Sequence, residues 1–209
     1  MTFKESLQQA ADYLAGHDPV LKPVIERAGR PTLQPHKNYY WELIDSIISQ
    51  QLSVKAATSI EKRFRELFGT DFPAPLAILE KSIEDLRAVG LSRPKARYIQ
   101  DLAQHILDGQ LKFDKFDRQT NDEIITELIA VKGIGEWTAH MFLIFCMGRL
   151  DVLPTGDLGI RNGIRQLYNF KDAPTPDQIR SLAQKNRWHP YESVASWYVW
   201  RSLGNTPAV

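Results

Sequence analysis

Leu128-Ile-Ala-Val-Lys-Gly-Ile-Gly-Glu-Trp-Thr-Ala139 is the stretch on which the reading of this chain turns. Just upstream, Thr120-Asn-Asp-Glu123 has the form of a capping box, in which the Thr hydroxyl and the Glu carboxylate each satisfy a helix-start amide. Ile124, Ile125 and Leu128 follow as the apolar face of that helix. Gly133-Ile134-Gly135 interrupts it, and a second helix is expected to open at Glu136 or Trp137. The two glycines permit a tight turn at positive φ and leave the backbone bare. Amides of such a turn, with those of the next helix start, can face outward as an anion site. A plain helix–helix turn without a ligand uses the same residues, and Gly-x-Gly alone does not separate the two.

Outward from this segment the periodicity stays helical. Leu43, Ile44, Ile47, Ile48 and Leu52 read as one buried face, and Ile60, Phe64, Leu67 and Phe68 as a second, stopped near Gly69. Ser82 is positioned to cap a short helix carrying Ile83, Leu86 and Val89, with Gly90 at its end. Ser92 caps the next, with Pro94 in its first turn and Ile99, Leu102, Ala103 and Ile106 as its stripe. Thr175-Pro-Asp-Gln178 is another capping box, before Ile179, Leu182 and Ala183. A helix from Trp137 to Arg149 and a last one from Pro190 to Leu203 complete the reading. Phe72–Pro75, Leu111–Thr120 and Leu150–Asp157 read as loops. Strand-like alternation is scarce, so the expected class is all-α with about ten helices.

Composition narrows the chemistry. The chain has 209 residues, 43% hydrophobic and 24% charged, enough apolar material for a real core. Its formal net charge is +1, so any anion binding must be local. The one cysteine, Cys146, excludes an internal disulfide and reads as a buried small hydrophobe. Histidines at 17, 36, 105, 140 and 189 never take the i, i+4 spacing of a helical zinc site. Walker, dinucleotide-binding and serine-hydrolase glycine motifs are missing. The start Met1-Thr-Phe-Lys-Glu-Ser shows no secretory signal, and the longest apolar run, Met141 to Met147, falls far short of the ~20 residues of a membrane span. The expectation is a soluble cytoplasmic protein, without membrane association.

A second element lies downstream, where Leu153-Pro-Thr-Gly-Asp157 precedes a helix beginning near Leu158. Asp157 alone reads as an N-cap. In order, however, the chain presents a hairpin, a connecting helix, a Gly/Pro loop and an Asp. Ile47-Ile-Ser-Gln-Gln-Leu-Ser53, Gly90-Leu-Ser-Arg-Pro-Lys-Ala96 and Arg187-Trp-His-Pro-Tyr191 accompany them. On these motifs the chain resembles the helix–hairpin–helix, Gly/Pro-rich, aspartate superfamily of DNA glycosylases. Trp137-Thr138 after the hairpin favours its 3-methyladenine DNA glycosylase II branch, in compact form. The likeness runs from about Tyr40 to Gly204.

That resemblance implies two helical lobes flanking a DNA- and base-binding cleft: a middle lobe of residues 40–149, and a second lobe of 1–39 with 150–209. It implies a DNA N-glycosylase that flips alkylated purines such as 3-methyladenine and 7-methylguanine and hydrolyses their glycosidic bond. Asp157 would stabilise positive charge developing on the sugar. Trp137, Trp200 and, more weakly, Tyr191 and Trp188 would form the base pocket; Trp197 reads as core. The loop Gln50-Gln51-Leu52-Ser53 would supply the wedge that fills the gap in the duplex, with Gln51 as the plug and Ser53 beside it. Lys132, Gly133, Ile134 and Gly135, with Arg93 and Lys95, would meet DNA backbone. Trp137 occupies the position of the Schiff-base lysine of bifunctional relatives, which implies a monofunctional enzyme. No cofactor is required, although carbonyls of Ile129, Val131 and Ile134 match positions that hold Na+ or K+ in relatives. The expected partner is double-stranded DNA with alkylated bases, the protein acting as a monomer, with the nucleoid if bacterial or in the nucleus if eukaryotic. Two other readings remain open at this point: a non-enzymatic DNA-binding or damage-recognition protein, and a glycosylase for another lesion.

Overall fold

The computed structural model describes residues 1–204. It is all-helical, and no strand forms among the described residues. The chain divides into two compact units, Met1–His36 together with the chain from Leu143 onward, and Lys37–Phe142. No helix among the described residues is long and apolar enough to cross a membrane.

The Lys37–Phe142 unit holds α3 (Tyr39–Ser49), α4 (Val54–Phe68), α5 (Pro75–Leu79), α6 (Ile83–Ala88), α7 (Arg93–Leu107), α8 (Asn121–Ile129) and α9 (Glu136–Met141). A 3₁₀ turn, Phe113–Arg118, interrupts the loop expected over Leu111–Thr120. The caps sit where residue chemistry puts them: Ser53, Ser82, Ser92 and Thr120 each accept an amide from the first turn that follows. Leu43, Ile44, Ile47 and Ile48 form the buried face of α3. Leu52 does not continue it: α3 stops at Ser49, and Leu52 is 40% exposed. The reason is tertiary. The Lys95 ammonium donates to the carbonyls of Ile48 (2.7 Å) and Gln50 (2.6 Å), closing the helix end from outside the segment.

The other unit is built from α1 (Phe3–His17), α2 (Lys22–Ala28), α10 (Leu158–Leu167), α11 (Pro176–Lys185) and α12 (Glu192–Ser202). The described residues form twelve α-helices, more than the expected ten, because α1, α2 and the five-residue α5 add to those read from the sequence. In α1, Leu7, Ala10, Ala11 and Leu14 make the buried stripe behind a Thr2–Glu5 capping box. The helix expected over Trp137–Arg149 is shorter. α9 ends at Met141, a π turn covers Phe142–Cys146, and Gly148 turns the chain at φ +71°. There a Cβ would come within 2.9 Å of Pro35.

α12 is the axis of this unit. Every residue from Ser193 to Trp200 is buried, so the helix is covered all round and has almost no amphipathic signature. α1, α2 and α10 pack against it. The approach of α10 needs Gly163, where a Cβ would lie 2.5 Å from Val199 Cγ1. A buried carboxylate ties the periphery. Asp18 accepts the amides of Val20 and Leu21, the Tyr168 hydroxyl and, at 2.7 Å, the Trp188 indole N–H.

One group in α3 works against stability. Burial, with Glu61 and Glu42 nearby, pushes the Asp45 carboxyl up to about 6, and Arg65 offsets this only in part. The native state therefore binds more protons than the unfolded chain between about pH 3.9 and 6, and stability falls as pH rises through that window. Asp45→Asn should raise stability at pH 7 by about 1–2 kcal/mol and leave it unchanged below about pH 4, as read by urea denaturation. An equal gain at both pH values would make the effect one of packing rather than charge.

Candidate functional site

The hairpin assembles within the Lys37–Phe142 unit. α8 ends at Ile129, Gly133 takes φ +88°, and Gly135 caps α9 in extended backbone at φ −99°. Only the first glycine thus needs left-handed space. A Cβ on Gly133 would strike the Tyr98 ring at 2.2 Å, whereas one on Gly135 would meet nothing within 4 Å. No side chain caps the first turn of α9, so its amides look to an acceptor from elsewhere. Trp137 stands in that turn, 54% exposed.

Three contacts lock this turn to its neighbours. The Gln50 amide donates to the Gly133 carbonyl at 2.8 Å. Asp101 of α7 receives the Lys132 backbone N–H at 2.9 Å and its ammonium at 3.0 Å. Burial raises the Asp101 carboxyl, but the bonds from Lys132 outweigh it and leave the group below its ordinary value. The Lys95 ammonium, expected at DNA phosphate, closes α3 instead, and burial lowers its proton affinity. Arg93, also expected there, forms a surface ion pair with Glu84 at 2.6 Å. Sequence reading placed Gln50 in the wedge loop without its bond to Gly133 and missed Tyr98 and Asp101, because the partners of all three lie in a turn distant in sequence.

Next to this turn, Gln51 is held at φ +57° and exposed, beside exposed Leu52 and Ser53. Left-handed backbone is uncommon for a residue other than glycine, and Gln51 holds it in full exposure. Ser53 has a structural task as well, capping α4 through the Ala56 amide.

In the other unit the structure brings Asp157 and Trp200 together. Asp157 is 9% exposed and caps α10, accepting the Ile160 amide on Oδ1 at 2.7 Å. The same Oδ1 accepts the Trp200 indole N–H at 2.8 Å. The loop before it is clamped by fully buried Ser193, whose hydroxyl receives the Val152 amide (3.0 Å) and donates to the Val152 carbonyl (3.3 Å). The Ser193 amide donates to Leu150. Trp200 is 7% exposed, with its ring on Phe145 at 5.7 Å, rather than standing open as a pocket wall. Tyr191 does not join this group: its ring packs edge-on against Tyr13 at 5.2 Å. Trp188 is fully buried on Asp18, and Trp197 is core as expected. Gly159-x-x-x-Gly163 is a further signal legible in sequence, since small residues one turn apart mark a close helix approach.

The chain's similarities fit this geometry. A family model described as HhH-GPD superfamily base excision DNA repair protein matches residues 44–188. DNA-3-methyladenine glycosylase 1 of Schizosaccharomyces pombe is 36% identical over 202 residues, spanning 94% of this chain and 88% of that protein. A crystal structure of DNA-3-methyladenine glycosidase from Bacillus halodurans superposes with a TM-score of 0.86 at 36% identity, covering 94% of this chain and 89% of that one. The S. pombe 3-methyladenine DNA glycosylase Mag1, solved in complex with abasic DNA, superposes with a TM-score of 0.80 at 33% identity, over 96% and 99% of the two chains.

The two hairpin glycines should respond differently to alanine. Gly133→Ala combines a left-handed φ with a clash and should cost roughly 2–4 kcal/mol of stability. Gly135→Ala should cost less than about 1 kcal/mol, both measured by chemical denaturation. Equal losses would show that Gly135 also has a steric role inside the fold.

Proposed function

Because the chain belongs to the HhH-GPD superfamily of base excision DNA repair proteins, we propose that it is a monofunctional DNA glycosylase releasing alkylated purines from double-stranded DNA. The observation that carries this reading is Asp157, a nearly buried carboxylate whose Oδ1 is fixed by two donors from two different helices. A carboxylate placed only to bind DNA would repel phosphate, whereas one facing a sugar can stabilise positive charge. At ~4 Å and an effective dielectric of ~20 such a pair is worth ~4 kcal/mol, about a thousandfold in rate.

The remaining roles follow from what each side chain offers. The hairpin amides at Gly133–Gly135 and the uncapped start of α9 hold a phosphate. Lys132 is bound to Asp101, so it adds little free charge there. Gln51, with Leu52 and Ser53, replaces the base that leaves the stack. Trp137, with its large exposed indole, stacks on the cationic purine. A purine methylated at N3 or N7 is already positively charged and leaves readily, so no strong general acid is needed. Carbonyl oxygens at the end of α8, around Ile129, Val131 and Ile134, are hard donors suited to Na+ or K+; such an ion would neutralise a phosphate oxygen. The protein acts as a monomer where the DNA is, in the bacterial cytoplasm or a eukaryotic nucleus.

Incubation with alkylated genomic DNA, followed by chromatography of the released bases, tests the reading. 3-Methyladenine and 7-methylguanine should appear, neutral hypoxanthine and etheno bases only slowly. A preference for uracil or 8-oxoguanine would leave the superfamily and overturn the alkylpurine assignment. Asp157→Asn should lower release by about a thousandfold while DNA binding persists; a loss under about threefold would remove Asp157 from the chemistry. Because an indole stands at position 137 and the Lys132 amine is engaged, the product should be an intact abasic site. Efficient borohydride trapping of the protein on DNA would contradict this.

A further inference from the structure

We propose that Trp200 is a positioning residue, whose indole N–H holds the Asp157 carboxylate in the plane in which it acts, and not a wall of the base pocket. The inference rests on the glycosylase reading and names a further residue for it. The N-cap bond, Ile160 N–H to Oδ1 at 2.7 Å, approaches that oxygen from α10. The Trp200 bond at 2.8 Å reaches the same oxygen from a different helix, and two donors from two directions define the plane of the carboxylate.

The indole is itself held from several sides. Phe145 lies 5.7 Å from it with the planes 30° apart, and the residue is 7% exposed. Val199, its neighbour in α12, sits in the gap left by Gly163 of α10. At Gly159 a Cβ would stand 2.9 Å from Trp200 Cδ1, 3.0 Å from Trp200 Nε1 and 3.0 Å from Asp157 Oδ1. That glycine is at negative φ, so its missing side chain serves space and not backbone conformation. It makes room for this one hydrogen bond. Ser193 lies two turns before Trp200 on the same face of α12 and clamps the loop that delivers Asp157. One buried helix therefore fixes the carboxylate both through its backbone and through its side chain.

A base wall would need an open ring face, and an indole 7% exposed offers little, whereas Trp137 at 54% offers much. The two roles separate experimentally. Trp200→Phe keeps an aromatic ring and removes the N–H; Gly159→Ala keeps both partners and forces them apart. Release of 7-methylguanine and 3-methyladenine is measured under single-turnover conditions, with affinity for DNA carrying an uncleavable abasic analogue and the melting temperature alongside. Each variant should release base roughly ten- to a hundredfold more slowly, the worth of a hydrogen bond to a charged group. The factor should be the same for both lesions, affinity should stay within about twofold, and the double variant should be no slower than the worse single one. Full-rate release by Trp200→Phe overturns the proposal. So does a loss confined to affinity or to one lesion, or one that merely follows melting temperature. If Trp200→Phe does not fold, Gly159→Ala decides by the same criteria. Wild-type protein that releases no alkylated base would instead refute the glycosylase reading.

Discussion

Oδ1 of Asp157 accepts the Ile160 amide and the Trp200 indole N–H at once, and much of its unit is arranged around that shared oxygen. The first bond starts α10, where a side-chain acceptor satisfies an otherwise orphaned amide and an anion complements the helix dipole. The second ties α10 to α12. Meeting both demands from one carboxylate requires the two helices to approach closely, hence Gly159 and Gly163 on the facing side of α10. It also requires α12 to be immobile, hence its burial from Ser193 to Trp200 and the Ser193 bonds to the loop before Asp157. The N-cap and the catalytic interpretations of this residue are therefore compatible: the cap is part of how the carboxylate is aimed.

The hairpin follows a different logic, in which cations are spent inside the protein. Lys95 closes α3, Lys132 is held by Asp101, and Arg93 pairs with Glu84. With a net charge of +1, the proposed hold on phosphate relies on backbone amides presented by a rigid turn. The rigidity comes from Tyr98 under Gly133 and from Gln50 on its carbonyl. Gln50 also begins the exposed loop of Gln51, so the turn that would hold DNA backbone and the residue that would enter the duplex share one support.

Capping boxes, helical stripes and the Gly133–Gly135 interruption were legible in the sequence because each depends on residues within one or two turns of one another. Thr120 with Glu123, Thr175 with Gln178 and Ser82 with its first turn formed as their spacing dictates. The helical class followed from the same local rules, as did Asp157 at the start of α10. Helix ends were less legible. α3 stops at Ser49 because of a lysine forty-odd residues away in sequence, and no local rule announces that.

Side-chain roles separated along the same line. Sequence determined that a Trp stands at 200 and an Asp at 157; it could not show that their side chains meet 2.8 Å apart, because they are forty-three positions apart in the chain. An aromatic residue looks the same in sequence whether it offers its face to a ligand or its edge N–H to a carboxylate. Burial decides, and burial belongs to the packed state: Trp137 is left exposed at a helix start, while Trp200 is enclosed on a helix covered all round. What the sequence alone determined was therefore the helical class, the hairpin and the order of motifs, all products of short-range backbone chemistry. Which donors reach Asp157, and which cations are already engaged, was decided only by tertiary packing, since those contacts exist only once distant helices have closed on one another.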